Sequence, residues 1–224
     1  MPQDTLKVSP TDLTPSLEKR LGAYALTAVT ALLSSAVPSQ AEIIYTKANK
    51  SIAPNSHFNL DLNHDKITDF TLSNRFFASS QFQSGTLLLI DGAKPNGGIY
   101  HYSFAIPLKT KGVIGPNQKF LSGKSLRMAR TSKSSEFTYS GGPFFNANRK
   151  FLGLRFTIKG KVHYGWARLS VTSSGHGMTI KLLDYAYNSV PNQRILAGEG
   201  RPPSEQMEAP TQTLGSLARG AAHR

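Results

Sequence analysis

Apolar and polar residues alternate with a period of two along most of the chain from Glu42 onward. Such alternation turns one side of an extended strand toward a core and the other toward solvent, so it predicts β-strands. The predicted strands are EIIYT, HFNLDL, ITDFTLSN, GTLLLID, GIYHYSFAI, EFTYS, KFLGLRFTI, VHYGWARLSVT and MTIKLLDYAY. Glycine, proline, asparagine and serine separate them, and TSSGHGM has the composition of a hairpin connection between Val171 and Ile180. We predict an all-β domain over residues 42–198, an antiparallel, jelly-roll-like β-sandwich.

The first 41 residues have a different pattern. Lys19 and Arg20 precede an Ala- and Leu-rich run that ends in small residues, with Ser39 and Ala41 at the third and first places before a possible cut. A basic region, an apolar region and a small-residue cleavage site in that order predict a signal helix over residues 1–41 and an exported protein. The alternatives are a buried or amphipathic N-terminal helix and an uncleaved anchor, which would be the chain's only contact with a membrane.

The end of the chain has too few apolar residues to offset the entropy of ordering it. The stretch GEGRPPSEQMEAPTQ is polar and rich in proline. We therefore expect residues 199–224 to be disordered.

The most specific ligand spacing lies in DLNHDKITDF. Oxygen-bearing side chains occupy the first, third, fifth and ninth places of a calcium-loop pattern, namely Asp61, Asn63, Asp65 and Asp69. Alternate oxygen ligands let a tight loop enclose Ca²⁺, and the seventh residue, Ile67, would add its backbone carbonyl. The sequence predicts one structural Ca²⁺ held by these five residues.

This loop departs from the helical EF-hand. Lys66 stands where that loop has glycine, and Leu72 stands where it has a bidentate glutamate. Because both flanks alternate with a period of two, we expect the loop to join two strands of a hairpin. The alternative is that its Asn and Asp residues only provide turn chemistry, since both tolerate left-handed backbone angles.

Composition narrows the function. The chain has no cysteine, which excludes disulfides, thiolate zinc sites and a cysteine nucleophile. Its formal net charge of +13 is compatible with polyanion binding. The basic residues are scattered, with the densest groups around 124–133 and 150–161 and no nucleic-acid motif between them, so a solvated basic surface is favoured and specific nucleic-acid binding is not.

No catalytic pattern emerges. The GKS at Gly123 to Ser125 lacks the earlier glycine of a phosphate loop, because that place holds Gln118. Asp91 has the setting of a turn residue and Asp184 that of an exposed strand or loop position. We predict that the protein is not an enzyme.

The aromatic block HYGWARL, from His163 to Leu169, predicts core packing. Trp166 is expected to be a buried anchor because burying it removes a large apolar area from water. Tyr164, Trp166 and Leu169 do not share one parity, so the block predicts a bulge near Gly165 or a strand buried on both faces.

Several segments resemble a class of exported bacterial proteins that carry PEP-CTERM-type C-terminal sorting signals. The matching elements are the Asp-rich loop, FLGLRF, HYGWARL, DYAY at Asp184 to Tyr187 and ILAG at Ile195 to Gly198. The final EAPTQTLGSLARGAAHR is similar to a remnant of such a signal, although Arg219 interrupts its apolar stretch. The resemblance implies an extracellular or cell-surface β-domain and no particular reaction.

The sequence is compatible with three functions. The first is an exported, non-enzymatic β-domain at or outside the cell surface, with an adhesive or matrix role and an unidentified partner. The second is a carbohydrate-binding module that stacks glycans on loop aromatics, for which the candidates are Tyr100, Tyr102, Phe144 and Phe145. The third is polyanion or nucleic-acid binding through the basic surface.

Overall fold

The structure is a computed structural model that describes residues 42–80, 83–174 and 177–206. The predicted signal segment, 1–41, and residues 207–224 of the predicted tail lie outside the described residues. Within the described part, no helix has the length and apolar character needed to cross a membrane.

The described residues are mostly β-strand, which confirms the all-β prediction. In chain order the elements are β1 Ile43–Ile52, β2 Ser56–Leu60, β3 Phe70–Ser80, β4 Gln83–Gly92, β5 Gly97–His101, β6 Phe104–Ala105, β7 Pro107–Leu108, β8 Val113–Ile114, β9 Phe120–Ser122, β10 Leu126–Ser134, β11 Thr138–Gly141, β12 Lys150–Ile158, β13 Lys161–Ser174, β14 Gly177–Asn188, β15 Ile195–Leu196 and the helix α1 Pro203–Gln206.

Thirteen strands form one large, mixed sheet. Its main path runs β1-β14-β13-β12-β5-β6-β10-β4-β3-β2, with β11 beside β10, β7 beside β12 and β9 beside β5. All pairings along it are antiparallel except the short parallel one between β10 and β6. The two ends of the path, β1 and β2, are consecutive in the chain, and the three residues between them turn the chain back. The sheet is therefore nearly barrel-like.

A buried side chain joins the two ends of the sheet. Asn74 on β3 donates from Nδ2 to the carbonyl oxygen of Met178 on β14 at 2.6 Å and to that of Ile52 on β1 at 3.4 Å. Asn74 is fully buried. These bonds give the amide nitrogen partners where the two ends of the sheet meet, whereas Asn74 Oδ1 is buried without a hydrogen-bond partner among the described residues.

The large core lies inside the curved sheet and draws leucines, isoleucines and aromatics from both halves of the path, including Leu72, Leu88, Leu154 and Ile180. A second apolar cluster covers the opposite face of β12, β13 and β14, where Phe151 and Trp166 pack beneath β8 and β15. These strands therefore have apolar residues at both parities, as the sequence shows.

This arrangement decides between the two expectations for the HYGWARL block. Trp166 is 0 % exposed, as predicted, and packs in the second cluster, while Leu169 packs in the large core. The strand is thus buried on both faces. Pairing of β13 with β12 is continuous through Gly165, and the register shift occurs instead against β14, between Arg168 and Leu169.

The first part of the predicted tail, residues 199–206, is within the described residues. Trp166 Nε1 donates to the carbonyl oxygen of Glu199 at 3.2 Å, and Lys47 Nζ lies 2.8 Å from Glu205 Oε1. Residues 199–206 are attached to β13 and β1 by these contacts. Both contacts are polar.

Candidate metal centre

The Asp-rich segment forms the connection of a β-hairpin, as predicted. Strands β2 and β3 pair antiparallel, with Leu60 opposite Phe70. Asp69 N–H donates to the carbonyl oxygen of Leu60 at 2.9 Å and closes the loop. Residues 61–69 therefore extend from one end of a fixed two-stranded base.

Lys66 adopts the backbone conformation that glycine provides in calcium loops. Its φ is +71°, and that of His64 is +60°. The Lys66 N–H donates to Asp61 Oδ2 at 2.7 Å, which places the Asp61 carboxylate on the inner side of the turn. The Lys66 side chain is exposed to solvent. Lysine at this position therefore strains the backbone without filling the loop.

Asp65 organises the tip of the loop. Its Oδ1 accepts the N–H of Ile67 at 2.8 Å, and its Oδ2 accepts Nδ2 of Asn63 at 2.9 Å. The hydrogen bond from Asn63, followed by that from Ile67, lowers the pKa of Asp65. The carboxylate is therefore held ionised on an exposed turn.

Asp69 lies beneath the loop and is 5 % exposed. Its Oδ2 accepts the N–H of Leu62 at 2.8 Å, and its Oδ1 lies 3.5 Å from Nδ2 of Asn96. Burial raises the pKa of Asp69 to about 6, against the bond from Leu62, and the charges of Asp61 and Asp65 raise it further. The three carboxylates thus repel one another electrostatically.

Two side-chain oxygens in the loop have no hydrogen-bond partner although each is buried. They are Asp61 Oδ1 and Asn63 Oδ1. A buried oxygen without a donor costs free energy, and a hard cation prefers oxygens of this kind. Among the residues that the structure describes, no group of three or more His, Asp or Glu side chains could hold a metal ion. A cation here would therefore also need Asn63 and a backbone carbonyl such as that of Ile67.

His64 connects this loop to the rest of the sheet, and sequence reasoning missed it. Its Nε2 lies 3.1 Å from Thr46 Oγ1 on β1 and 3.4 Å from the hydroxyl of Tyr185 on β14. The imidazole ring also packs at 5.9 Å from the Tyr185 ring. A lone histidine carries no spacing signal, so only the fold reveals this contact.

The aromatics proposed for glycan stacking do not form a common surface. Phe144 is fully buried in the large core, and Phe145 packs against it. Tyr100 is half-buried, whereas Tyr102 is 83 % exposed. The expectation of four exposed loop aromatics was wrong because the segment around Phe144 folds back onto β10, where Phe144 N–H donates to the Met128 carbonyl.

Asp184 was predicted to be exposed, and this was also wrong. It is 1 % exposed and accepts two bonds from Arg168, one of them from Nε to Oδ1 at 2.8 Å. The Tyr45 hydroxyl donates to Asp184 Oδ2 at 3.0 Å. Burial raises the pKa of Tyr45, and the negative charge of Asp184 adds to that effect. This is a buried ion pair on the face of the sheet that the second cluster covers.

Comparison with known protein families, with curated proteins and with solved structures gives no match.

Proposed function

We propose that the chain is an exported, non-enzymatic β-domain that works at or outside the cell surface and is stabilised by one Ca²⁺ in the loop 61–69. The resemblance of its FLGLRF, HYGWARL, DYAY and ILAG blocks to PEP-CTERM-type exported proteins supports the location. We also propose that the two halves of the sheet pack face to face as a β-sandwich, because they share one large core.

The observation that carries the calcium proposal is the pair of buried, unpartnered oxygens, Asp61 Oδ1 and Asn63 Oδ1. They occupy the first and third places of the loop, and Asp65 and Asp69 add negative charge close to them. A divalent cation would give both oxygens a partner and would offset the mutual repulsion of the carboxylates. A turn without a bound cation would leave both oxygens unpartnered and the repulsion between the carboxylates uncompensated.

Two further features favour the site. The loop already has the left-handed turn at its sixth place, and the Lys66 ammonium is exposed. The strands on both sides fix the ends of the loop, so little ordering entropy is lost when an ion binds.

Thermal melts in excess Ca²⁺ and in chelator test this proposal on the wild type, Asp65→Ala and Asp91→Asn. Asp91 is a matched control because it is a carboxylate outside the loop that contacts Arg75 and Ser125. At free calcium near one hundred times the dissociation constant, the wild type and Asp91→Asn should gain about 2.7 kcal/mol, and Asp65→Ala should gain much less. Equal thermal midpoints of the wild type in calcium and in chelator would show that the loop binds no Ca²⁺ and is only a turn. A parallel series in Mg²⁺ separates a calcium site from general screening, because Mg²⁺ gives up its bound waters reluctantly.

A further inference from the structure

A groove on the outer face of the sheet lies far in sequence from the Asp-rich loop. It has a volume of about 570 Å³ and lies against β4 and β10, between Phe104 at one side and the β10–β11 hairpin at the other. Leu87 and Ala129 also line it. This volume is within the range of small-ligand sites.

The hairpin presents two aromatic rings to this groove. Phe137 is 54 % exposed and Tyr139 is 50 % exposed, although large aromatic side chains are usually buried. The turn that carries Phe137 is fixed, because Ser134 N–H donates to the Phe137 carbonyl at 2.8 Å and Phe137 N–H donates to Ser134 Oγ at 3.0 Å. The rings are therefore displayed from an ordered hairpin.

Tyr139 lies along the strand toward Gly141. A Cβ at Gly141 would stand 2.8 Å from the Tyr139 hydroxyl oxygen, so the glycine makes room for this ring position. Gly141 pairs directly with Arg130 on β10. The Tyr139 hydroxyl thus lies next to the residue that pairs with Arg130.

Two guanidinium groups belong to the same groove. Arg127 and Arg130 line it and are exposed, while no Asp or Glu is among its lining residues. In the part of the chain that the structure describes, neither arginine forms an ion pair. Arg130 also lies 4.8 Å from the Phe77 ring centroid, which helps to hold its orientation.

We infer that this groove binds an acidic polysaccharide through its carboxylated sugar rings. The planar fork of arginine matches a carboxylate in a bidentate geometry, and the faces of Phe137 and Tyr139 suit the C–H side of a sugar ring. Thr138 and Tyr139 provide hydroxyls for the polar rim. The groove has two guanidinium groups and three aromatic rings, those of Phe104, Phe137 and Tyr139. This ratio fits a polysaccharide that alternates apolar ring faces with charged groups better than a nucleic acid, which has one phosphate at every residue.

The test is calorimetric titration of the full chain with polygalacturonate oligosaccharides in chelator, which removes calcium bridging by the polymer. The methyl-esterified oligosaccharides are the matched ligand, since they keep the sugar rings and lose the charge. The binding variants are Arg127→Gln with Arg130→Gln, and separately Tyr139→Ser. The control is Lys133→Gln, because Lys133 is an exposed cation on the same strand that does not line this groove.

We expect binding of the acid form, weakened about tenfold or more by the double arginine variant and by Tyr139→Ser, since each removes a charged bond or a stacking surface. Lys133→Gln removes a positive charge outside the groove and should leave the affinity unchanged. Methyl esterification removes the negative charge of the ligand and should abolish binding. The proposal fails if no acid-form binding is seen, or if dextran sulfate and single-stranded DNA bind equally well and Lys133→Gln weakens all three alike. Preferential, Tyr139-dependent binding of single-stranded DNA would also overturn it and would assign the groove to nucleic acid.

Discussion

Arg168 on β13 pairs directly with Asp184 on β14, and their side chains form a two-point ion pair that is almost completely removed from solvent. Glu205 of α1 approaches the same guanidinium at 3.6 Å and is itself 2.8 Å from Lys47 on β1. This network links β13, β14, β1 and the segment after Gly198. It lies beside the register shift between β13 and β14, which falls between Arg168 and Leu169.

Removing one member of the Arg168 and Asp184 pair should destabilise the fold strongly. Asp184→Asn removes the two-point partner of the buried guanidinium and leaves it only the more distant carboxylate of Glu205, which costs about 3 to 5 kcal/mol. The double change of Arg168→Met and Asp184→Leu should cost less than either single change, because no buried charge remains. Urea melts give these values, with Arg75→Met as an exposed control. A double-variant loss equal to the sum of the losses of Arg168→Met and Asp184→Leu alone would show that the charges are not coupled.

Trp166→Ala should destabilise the domain by about 3 to 5 kcal/mol as a large-to-small change in a packed cluster. The indole packs edge-on against Phe151 at 5.3 Å and donates to the Glu199 carbonyl. Trp166→Phe keeps an aromatic ring and removes that hydrogen bond, so it should cost about 1 to 3 kcal/mol, including the smaller ring. Chemical denaturation measures both. A loss below about 1 kcal/mol for Trp166→Ala would contradict its burial.

Strand content could be predicted from the sequence because it depends on a local signal. The period of two identified the long strands, and the hairpin between Val171 and Ile180 is present as expected. GIYHYSFAI, predicted as one strand, is divided into β5 and β6, whereas the short strands β7, β8 and β9 were not predicted. Each has two or three residues and exists only because a distant strand, such as β12 for Pro107 and Leu108, offers its edge. No local pattern encodes such a pairing.

Burial of polar residues was the least predictable property of the chain. Asp184, Asn74 and Asp69 are all nearly fully buried, each with partners from other elements. Sequence treated Asp184 as a surface group because its partner, Arg168, is 16 residues away on the next strand. The Asp-rich loop was easier to recognise, since its hydrogen bonds lie within nine residues and turn chemistry is local.

Asn74→Ala should loosen the junction between the two ends of the sheet. The change leaves the Met178 carbonyl without its 2.6 Å donor in a dry environment, at a cost of about 1 to 3 kcal/mol. Asn59→Ala is the control, because Asn59 bonds to Thr71 on an exposed part of the neighbouring strand. Hydrogen exchange should report faster opening of β1, β3 and β14 in Asn74→Ala only. Unchanged exchange at these strands would show that the junction is held by packing alone.

The exported protein should begin at Glu42. Ser39 and Ala41 fit the small-residue requirement of the processing site, and Pro38 ends any helix upstream of it. A cut there would keep Glu42, whose carbonyl accepts the N–H of Ser189 at 2.9 Å, and would leave β1 intact. Mass spectrometry of the secreted protein decides the point. A product that retains Met1, or one that starts beyond Ile44, would refute the signal-peptide hypothesis.

The stability of the calcium-free protein should rise as the pH falls, through Asp69. Its pKa is about 6 in the folded state against an ordinary value of 3.8, so the folded protein takes up a proton at a pH where the unfolded chain does not. This contribution is complete below pH 3.8 and is lost as the pH rises through about 6. Between pH 7 and 4.5 the gain should be about 2 kcal/mol in chelator and absent in Asp69→Asn.

Excess calcium should reverse that trend in the wild type, if the proposed site is correct. A bound cation favours the ionised carboxylates of Asp61, Asp65 and Asp69, so protons then compete with the ion and acidification lowers stability. Urea melts at pH 7 and 4.5, in calcium and in chelator, compare the wild type with Asp69→Asn, which removes the shared background of other titrating groups. A difference between the two proteins in chelator that has the same sign and size in calcium would mean that Asp69 titrates as a buried acid and that no cation binds beside it.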